Sequence, residues 1–299
     1  MFGLDLLFDY IECGNCQCLH LRNIPEDLSL FYPSNYYSFS DAVISRKLNN
    51  PLVKARNSYA VYGKPLAGKF LMHFFPKPEL VWLTPIGLKK DTRVLDVGCG
   101  SGMLLRFLAT MGMKNLTGID PYLHENPDSS KQLELIKSDL FDITGEWDVI
   151  WFHHVFEHLK NPLDVLEKVA SLLSPGGQCI IAIPTVSGEA WESYGTNWVQ
   201  LDAPRHLFLH SVKSMQIMAE KSGFIISKIL YNSTGFQFWA SEQIKRGIPL
   251  VDKNSGSTTP REGLFTSSQL EAFERKAKQL NKRNSGDQAV FFMSKDPSS

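Results

Sequence analysis

The residues best suited to chemistry are glycines and carboxylates that follow short apolar runs. Gly98, Gly100 and Gly102 form a turn directly after the run 93–97. Glycines let a backbone approach a ligand closely and accept left-handed dihedral angles. Asp96 lies just before this turn, and Asp120 ends the next apolar run. A carboxylate in the second position can accept hydrogen bonds from both hydroxyls of a ribose, so these residues indicate a nucleoside ligand.

Alternating strand-like and helix-like segments would position these residues. Such alternation predicts an α/β fold with a doubly wound, mostly parallel seven-stranded sheet, whose ligands bind beyond the carboxyl ends of the strands. The connection 121–132 contains two prolines, so its helix should be short or missing. The strand-like runs are 93–98, 115–120, 133–139, 147–152, 177–184, 224–230 and 288–295, and the main helix-like segments are 102–112, 162–173 and 211–222.

Two details distinguish the expected ligand from a nicotinamide dinucleotide. The dinucleotide pattern has a third glycine where this chain has Met103. The carboxylate of Asp96 would also repel a pyrophosphate, whereas it would attract an ammonium group. A ribose at one end and an amino-acid ammonium group at the other describe S-adenosylmethionine.

Four motifs in order, VLDVGCGSG, GID, SDLFD and DVIWFHHVFEH, resemble class I S-adenosylmethionine-dependent methyltransferases over about residues 91–231. The resemblance implies that the glycine turn packs on S-adenosylmethionine, that Asp96 lies near its methionine end and that Asp120 binds its ribose. It also implies that Asp139 accepts from the adenine amino group, and that His153 and His154 border the reacting centre. The implied cofactor-binding set is Asp96, Gly98, Gly100, Gly102, Asp120, Pro121, Asp139, Leu140 and His153. Cys99 is a small neighbour of the glycines and is not expected to be catalytic.

Methyl transfer from a sulfonium is a direct displacement, so the protein must align the acceptor and help to remove its proton. Histidine is the usual base near neutral pH. The candidates are His153, His154, His158, His206 and His210, from which we select His154 and His206 as catalytic residues. Asp96, Asp120 and Asp139 have an alternative role as turn or cap residues, and Arg205 and His206 could merely pin their loop to the core.

Residues 154–158 also match H-x-x-E-H, the inverted zinc-protease pattern. The motif follows directly on a buried strand and is soon interrupted by Asn161 and Pro162, which argues against one continuous ligand helix. We interpret Glu157 and His158 as a polar network that shapes the pocket floor. A metal-assisted methyl transfer that uses this pair is an alternative.

The segment 188–211 is long for a strand-to-helix connection, and long connections are usually functional. Its aromatic and polar side chains are typical of a pocket for an organic substrate, and its phrase LDAPRHL resembles the acceptor loop of methyltransferases that modify sugars and polysaccharides. The side chains are Trp191, Tyr194, Trp198, Arg205, His206 and His210.

Cys13, Cys16 and Cys18 resemble half of the zinc ribbon that precedes some of these enzymes. A structural zinc site needs four ligands, and no further cysteine occurs before Cys99. We therefore expect no metal, and zinc in particular is not expected. The aromatic residues beyond them would cover the cofactor cleft: Phe31, Tyr32, Tyr36, Tyr37 and Phe39.

The composition excludes several classes of protein. The chain has 299 residues, 43% apolar and 21% charged, and its 31 Lys+Arg balance its 31 Asp+Glu. Such fractions are typical of a globular protein, and zero net charge lacks the footprint of a nucleic-acid binder. No apolar stretch is long enough to span a bilayer. Five cysteines and no secretory signal favour the cytoplasm. We expect neither nucleic acid nor membrane as a partner, and the oligomeric state stays open.

These inferences combine into one prediction. Residues 1–40 form a partial zinc-ribbon-like segment, 41–90 a helical lid, and 91–299 a methyltransferase core with acceptor loop 188–211 and an insertion at about 236–286. The enzyme would methylate a small molecule, a sugar or polysaccharide precursor, and release S-adenosylhomocysteine. The alternatives are O-methylation of a quinone or phenolic precursor, a non-catalytic adenosyl-binding protein, and a zinc-ribbon interaction module.

Overall fold

The computed structural model describes residues 6–31, 50–123, 130–250 and 259–297. The strands in this part of the chain are β1 (Tyr10–Glu12), β2 (Leu19–Leu21), β3 (Arg93–Val97), β4 (Asn115–Ile119), β5 (Leu133–Ile136), β6 (Trp147–His153), β7 (Leu173–Pro184), β8 (Phe208–Leu209), β9 (Phe224–Tyr231) and β10 (Gln288–Lys295). The α-helices are α1 (Pro51–Tyr62), α2 (Leu66–Phe74), α3 (Met103–Thr110), α4 (Pro162–Leu172), α5 (Glu189–Tyr194), α6 (Val212–Lys221), α7 (Phe236–Lys245) and α8 (Ser267–Lys282).

Seven strands form the central sheet in the order β5-β4-β3-β6-β7-β10-β9. β3 pairs in parallel with both β4 and β6, while β10 runs antiparallel between β7 and β9. The predicted mostly parallel, seven-stranded α/β fold is therefore confirmed. The central strands are nearly continuous apolar runs because helices cover both of their faces.

Alternate residues of β3 enter two separate cores, because successive strand side chains point to opposite faces. Val94 packs with Leu105 of α3 on one face. Leu95 packs with Leu166 of α4 on the other. The two helices thereby fix β3, and with it the turn that follows, from both sides.

Some boundaries differ from the predicted ones. β5 ends at Ile136, before the predicted 139, and β7 begins at Leu173, so it includes the predicted SPGG turn. Asn161 lies at the N-cap of α4, but its side chain makes no capping hydrogen bond. Residues 121–123 and 130–132 contain no helix, and 124–129 lie outside the described residues.

The N-terminal segment pairs with the loop that was predicted to bind the acceptor. β1 and β2 form a hairpin, and β2 pairs with β8 through Leu19 and Leu209. The hydroxyl of Tyr10 donates to the carbonyl of His206 at 2.7 Å. Cys13, Cys16 and Cys18 lie in the turn of this hairpin and are free thiols.

Helices α1 and α2 occupy part of the region 41–90. Ala60 and Val61 of α1 are fully buried in the core, whereas Phe70 and Phe74 of α2 are exposed. In the predicted aromatic run, Phe31 is described, while Tyr32, Tyr36, Tyr37 and Phe39 lie outside the described residues. No helix in the described ranges is long and apolar enough to cross a membrane.

The insertion before the last strand carries α7 and α8. These helices pack together through Phe238, Ala277 and Leu280. Thr266 and Gln269 form a reciprocal capping box at the start of α8. The polar stretch that was interpreted as a loop ends just before this helix, and its residues 252–258 lie outside the described ranges.

Truncating the Leu95 side chain tests how much the burial of β3 contributes to the stability of the protein. Leu95 is 0% exposed, and Leu95→Ala should lower the free energy of unfolding by about 2–5 kcal/mol because it leaves a cavity. Ile225→Ala, at a residue 45% exposed, should cost less than about 1 kcal/mol. Denaturant unfolding measures both, and equal losses would contradict the described packing.

Candidate functional site

The glycine turn links β3 to α3 in a conformation that few other residues adopt. Gly98, Gly100 and Gly102 have φ of 71°, 53° and 71°. A Cβ on Gly98 would lie 2.5 Å from a methyl group of Val155, and a Cβ on Gly102 would lie 2.8 Å from one of Leu135. Side chains are therefore excluded here by both dihedral angle and space.

Asp96 lies in β3, immediately before the turn, and is 4% exposed. Burial raises the pKa of its carboxyl to about 7, with a smaller contribution from the charge of Asp120. Burial also raises the pKa of the Cys99 thiol, which keeps it protonated and a poor nucleophile. Asp96 is thus an acidic group whose charge would be stabilised by a nearby cation.

Asp120 follows β4 and binds the backbone of the glycine turn. One carboxylate oxygen accepts from the N–H of Gly100 at 3.1 Å, and the other accepts from the N–H of Tyr122 at 2.9 Å. A carboxylate accepts about four hydrogen bonds, so acceptor capacity remains. Burial raises the pKa of Asp120. Pro121, the next residue, is exposed.

Asp139 follows β5 and begins a short 3-10 turn. Its side chain accepts from the N–H of Phe141 at 2.9 Å, so the capping role considered from the sequence is present. The carboxylate is exposed, whereas Leu140 is 5% exposed. Asp139 and Leu140 present an acceptor beside an apolar surface at the same sheet edge as Asp120.

Two histidines end β6 in contrasting ways. His153 is exposed as a residue, and its ring stacks on the buried Trp82 with centroids 5.4 Å apart. His154 has φ of 58°, a left-handed conformation that is uncommon outside glycine and recurs at functional sites. Its Nδ1 lies 3.7 Å from a carboxylate oxygen of Glu157, and its side chain is 37% exposed.

Glu157 is a buried carboxylate surrounded by imidazoles. It is 1% exposed, and its oxygen lies 3.9 Å from Nε2 of His206. Burial alone would raise the pKa of Glu157, but the neighbouring His154, His158 and His206 outweigh it and bring the pKa below its usual range. Burial lowers the pKa of His206 to about 4, so this imidazole is neutral at pH 7.

The loop 188–211 is fixed to the turn that carries Glu157. The N–H of Leu207 donates to the carbonyl of Glu157 at 2.9 Å. Arg205 is 1% exposed and forms an ion pair with Asp202 of the same loop, while its backbone carbonyl lies 2.8 Å from Nδ1 of His158. Trp198, predicted to line a pocket, is 1% exposed and belongs to an interior cluster with Val199.

Asp287 is a candidate that sequence reasoning missed. It directly precedes β10, whose Gln288 pairs with Pro184 at the end of β7. Because β10 is antiparallel, its start lies at the edge where the parallel strands end. Asp287 is 1% exposed and accepts from the indole N–H of Trp198 at 3.0 Å. Only the direction of β10, which the sequence does not reveal, brings Asp287 here.

Comparison with known families decides the assignment. A family model described as a methyltransferase domain matches residues 68–228, more than half of the 299 residues. The chain belongs to the methyltransferase-domain family. The predicted methyltransferase domain is therefore confirmed, and this family supports S-adenosylmethionine, the cofactor inferred from the glycine turn and Asp96.

The curated proteins that this chain resembles include methyltransferases with different named functions. A ubiquinone biosynthesis O-methyltransferase from Dechloromonas aromatica is 38% identical over 124 residues, which cover 37% of this chain and 52% of that protein. A tRNA U34 carboxymethyltransferase from Azotobacter vinelandii is 29% identical over 153 residues, which cover 46% of this chain and 46% of that protein. This chain spans about half the length of the curated relatives it matches.

Among solved structures, an S-adenosylmethionine-dependent methyltransferase from Mesorhizobium loti is similar, with 16% identity and a TM-score of 0.47 over 73% of this chain and 97% of that one. An S-adenosylmethionine-dependent methyltransferase from Archaeoglobus fulgidus is also similar, with 20% identity and a TM-score of 0.45 over 76% of this chain and 98% of that one.

The donor set at the sheet edge fits the adenosyl cofactor of the methyltransferase. The side-chain-free turn lets the backbone contact a ligand, and Asp120 retains capacity for two hydroxyl donors. The buried Asp96 is suited to an ammonium group. Leu140 offers an apolar surface beside the acceptor Asp139.

A raised pKa at Asp287 predicts a pH-dependent stability. The folded pKa is about 6, raised by burial, against about 3.9 in an unfolded chain. Between these values the native state binds the extra proton, so its contribution to stability is present at low pH and lost as pH rises toward 6.

Asp287→Asn removes this contribution. The stability of the wild-type methyltransferase relative to the variant should therefore fall between pH 4 and 6, by at most about 1.4 kcal/mol per pH unit. Denaturant unfolding across this range measures it, with Asp91→Asn at an exposed position as control. A flat difference, or one that rises with pH, would show that Asp287 is not held protonated.

Proposed function

We propose that this methyltransferase transfers the methyl group to a hydroxyl oxygen of a small molecule, with a sugar or polysaccharide precursor as the first acceptor class. The observation that carries the proposal is a histidine backed by a buried carboxylate. His154 is partly exposed at the end of β6, and Glu157 lies 3.7 Å behind it. This pair can remove a hydroxyl proton beside the cofactor edge.

When bound, S-adenosylmethionine supplies a methyl group activated by its sulfonium. Asp120 would hold the ribose hydroxyls, Asp139 the adenine amino group, and Leu140 the face of the ring. Asp96 would balance the ammonium charge at the other end. Pro121 and His153 would complete the walls, since both are exposed beside these groups.

Loss of the Asp120 carboxylate should weaken the binding of S-adenosylhomocysteine by about 10–100-fold, because two hydrogen bonds to a charged acceptor disappear. Calorimetry with Asp120→Ala measures the change, and Asp91→Ala at an exposed turn is the control. Equal affinity in wild type and Asp120→Ala would remove Asp120 from the site.

Binding should also tighten several-fold from pH 6 to 7.5 in the wild type. The pKa of Asp96 is about 7 because of burial, so the carboxylate becomes charged over this range and can face the ammonium group. Asp96→Asn should bind more weakly and show no such rise. If the affinity of Asp96→Asn still rises from pH 6 to 7.5, a titrating group other than Asp96 causes the increase.

The acceptor chemistry follows from the surroundings of His154. During methyl transfer to a bound acceptor, the imidazole of His154 would take up the proton of the acceptor hydroxyl. The imidazolium is then stabilised by the carboxylate of Glu157, as in other histidine–carboxylate pairs. His206 is 6% exposed and bound through Nδ1 to the carbonyl of Gln200 at 2.6 Å, which favours a positioning role over direct contact with the acceptor.

These roles predict that variants of His154 and His206 differ in their effects on kcat and KM. His154→Gln should lower kcat by about 10²–10⁴ while leaving S-adenosylhomocysteine affinity unchanged. His206→Gln should lower kcat less and raise KM, since it loosens the acceptor loop. His73→Gln, on an exposed helix face, is the control. An unchanged kcat in His154→Gln would contradict the proposed base.

A quinone or phenolic precursor is the second acceptor class, supported by the similarity to a ubiquinone biosynthesis O-methyltransferase. A panel of nucleotide sugars, catechols and tRNA distinguishes the classes by S-adenosylhomocysteine release. Sugar turnover supports the first class and catechol turnover the second. Turnover of tRNA alone would contradict both, and binding without turnover of any acceptor would favour the non-catalytic alternative.

A further inference from the structure

We propose that Glu157, His158 and His206 bind a divalent transition-metal ion. From the sequence we expected no metal, and a metal at Glu157 and His158 was only an alternative to a polar network in the pocket floor. The three residues come from two distant segments, the turn after β6 and the loop 188–211. The metal site does not depend on which acceptor the enzyme uses.

The three side chains converge on one point. One potential ligand atom from each lies within 4.8 Å of the other two. Ligands of a tetrahedral zinc ion, at about 2.0–2.1 Å from the metal, lie about 3.4 Å apart. A small inward movement of the side chains is therefore enough to close the site around an ion.

The carboxylate at the centre of the cluster accepts no hydrogen bond. Glu157 is 1% exposed, and neither of its oxygens has a hydrogen bond. A buried charge without hydrogen bonds is costly, whereas a bound cation would neutralise it. The missing hydrogen bonds of Glu157 are an observation independent of the convergence of the ligand atoms, and they point to a positively charged occupant.

The two imidazoles are held as metal-binding histidines usually are. Nδ1 of His158 lies 2.8 Å from the carbonyl of Arg205, and Nδ1 of His206 lies 2.6 Å from that of Gln200. With Nδ1 protonated and donating to a carbonyl, each ring presents Nε2 as its lone-pair donor, which is the arrangement that second-shell partners impose at metal sites. The ring centroids are 4.8 Å apart.

The ligand types select the kind of metal. Two imidazoles and one carboxylate suit Zn²⁺, Fe²⁺, Co²⁺ or Ni²⁺, while Mg²⁺ and Ca²⁺ prefer oxygen ligands. Three protein ligands leave at least one position for water or an acceptor oxygen. A carboxylate has two oxygens, so coordination by Glu157 is compatible with its contact to His154.

Cobalt titration of the chelator-treated protein tests the site. One Co²⁺ per chain should bind, with visible d–d bands and without the intense near-ultraviolet band of cobalt–thiolate ligation. Glu157→Gln and His158→Gln should each weaken binding by at least about 100-fold, as expected for loss of a direct ligand. His73→Gln, at an exposed histidine, and the double variant Cys13→Ser/Cys16→Ser should bind as the wild type does.

Thermal unfolding and S-adenosylhomocysteine binding, measured on the same samples, separate loss of the metal site from loss of the fold. Absence of Co²⁺ binding by folded wild-type protein would overturn the proposal. Binding that survives Glu157→Gln but disappears in the cysteine variant would also overturn it and assign the metal to the N-terminal hairpin. Metal binding without S-adenosylhomocysteine binding would count against the cofactor residues and leave the metal site supported.

Discussion

The carboxylate of Asp120 holds together the part of the structure on which the function depends. It accepts from the N–H of Gly100, while the N–H groups of Gly98 and Cys99 donate to the carbonyl of Ile119. The end of one strand is thereby bound to the turn that follows its neighbour. Because β3 and β4 are parallel and in fixed register, this contact sets where backbone and carboxylate face a ligand.

A second constraint acts in the turn that follows β6. Glu157 is an ionised group with no hydrogen bond in the interior, which a folded protein tolerates only with compensation nearby. Three imidazoles and a loop fixed by Leu207 surround it. The same arrangement can serve a proton transfer at His154 and the binding of a metal ion, so the chemistry of the acceptor side centres on one side chain.

The sequence predicted what local patterns determine. Apolar runs followed by glycine, aspartate or histidine located β3, β4 and β6 and the residues at their carboxyl ends. It could not predict that β10 runs antiparallel and brings Asp287 to the same edge, since strand direction is set by tertiary packing. Trp198 was expected in a pocket, but it is buried because α7 packs against its loop. The convergence of His206 with Glu157 depends on how a long loop folds back, which spacing alone does not encode.

A crystal structure of the complex with S-adenosylhomocysteine tests the central claim most directly. The account predicts both ribose hydroxyls within hydrogen-bonding distance of Asp120, the adenine ring against Leu140, and the sulfur on the side of His154. A ligand bound at another edge of the sheet, or with its ribose away from Asp120, would contradict it.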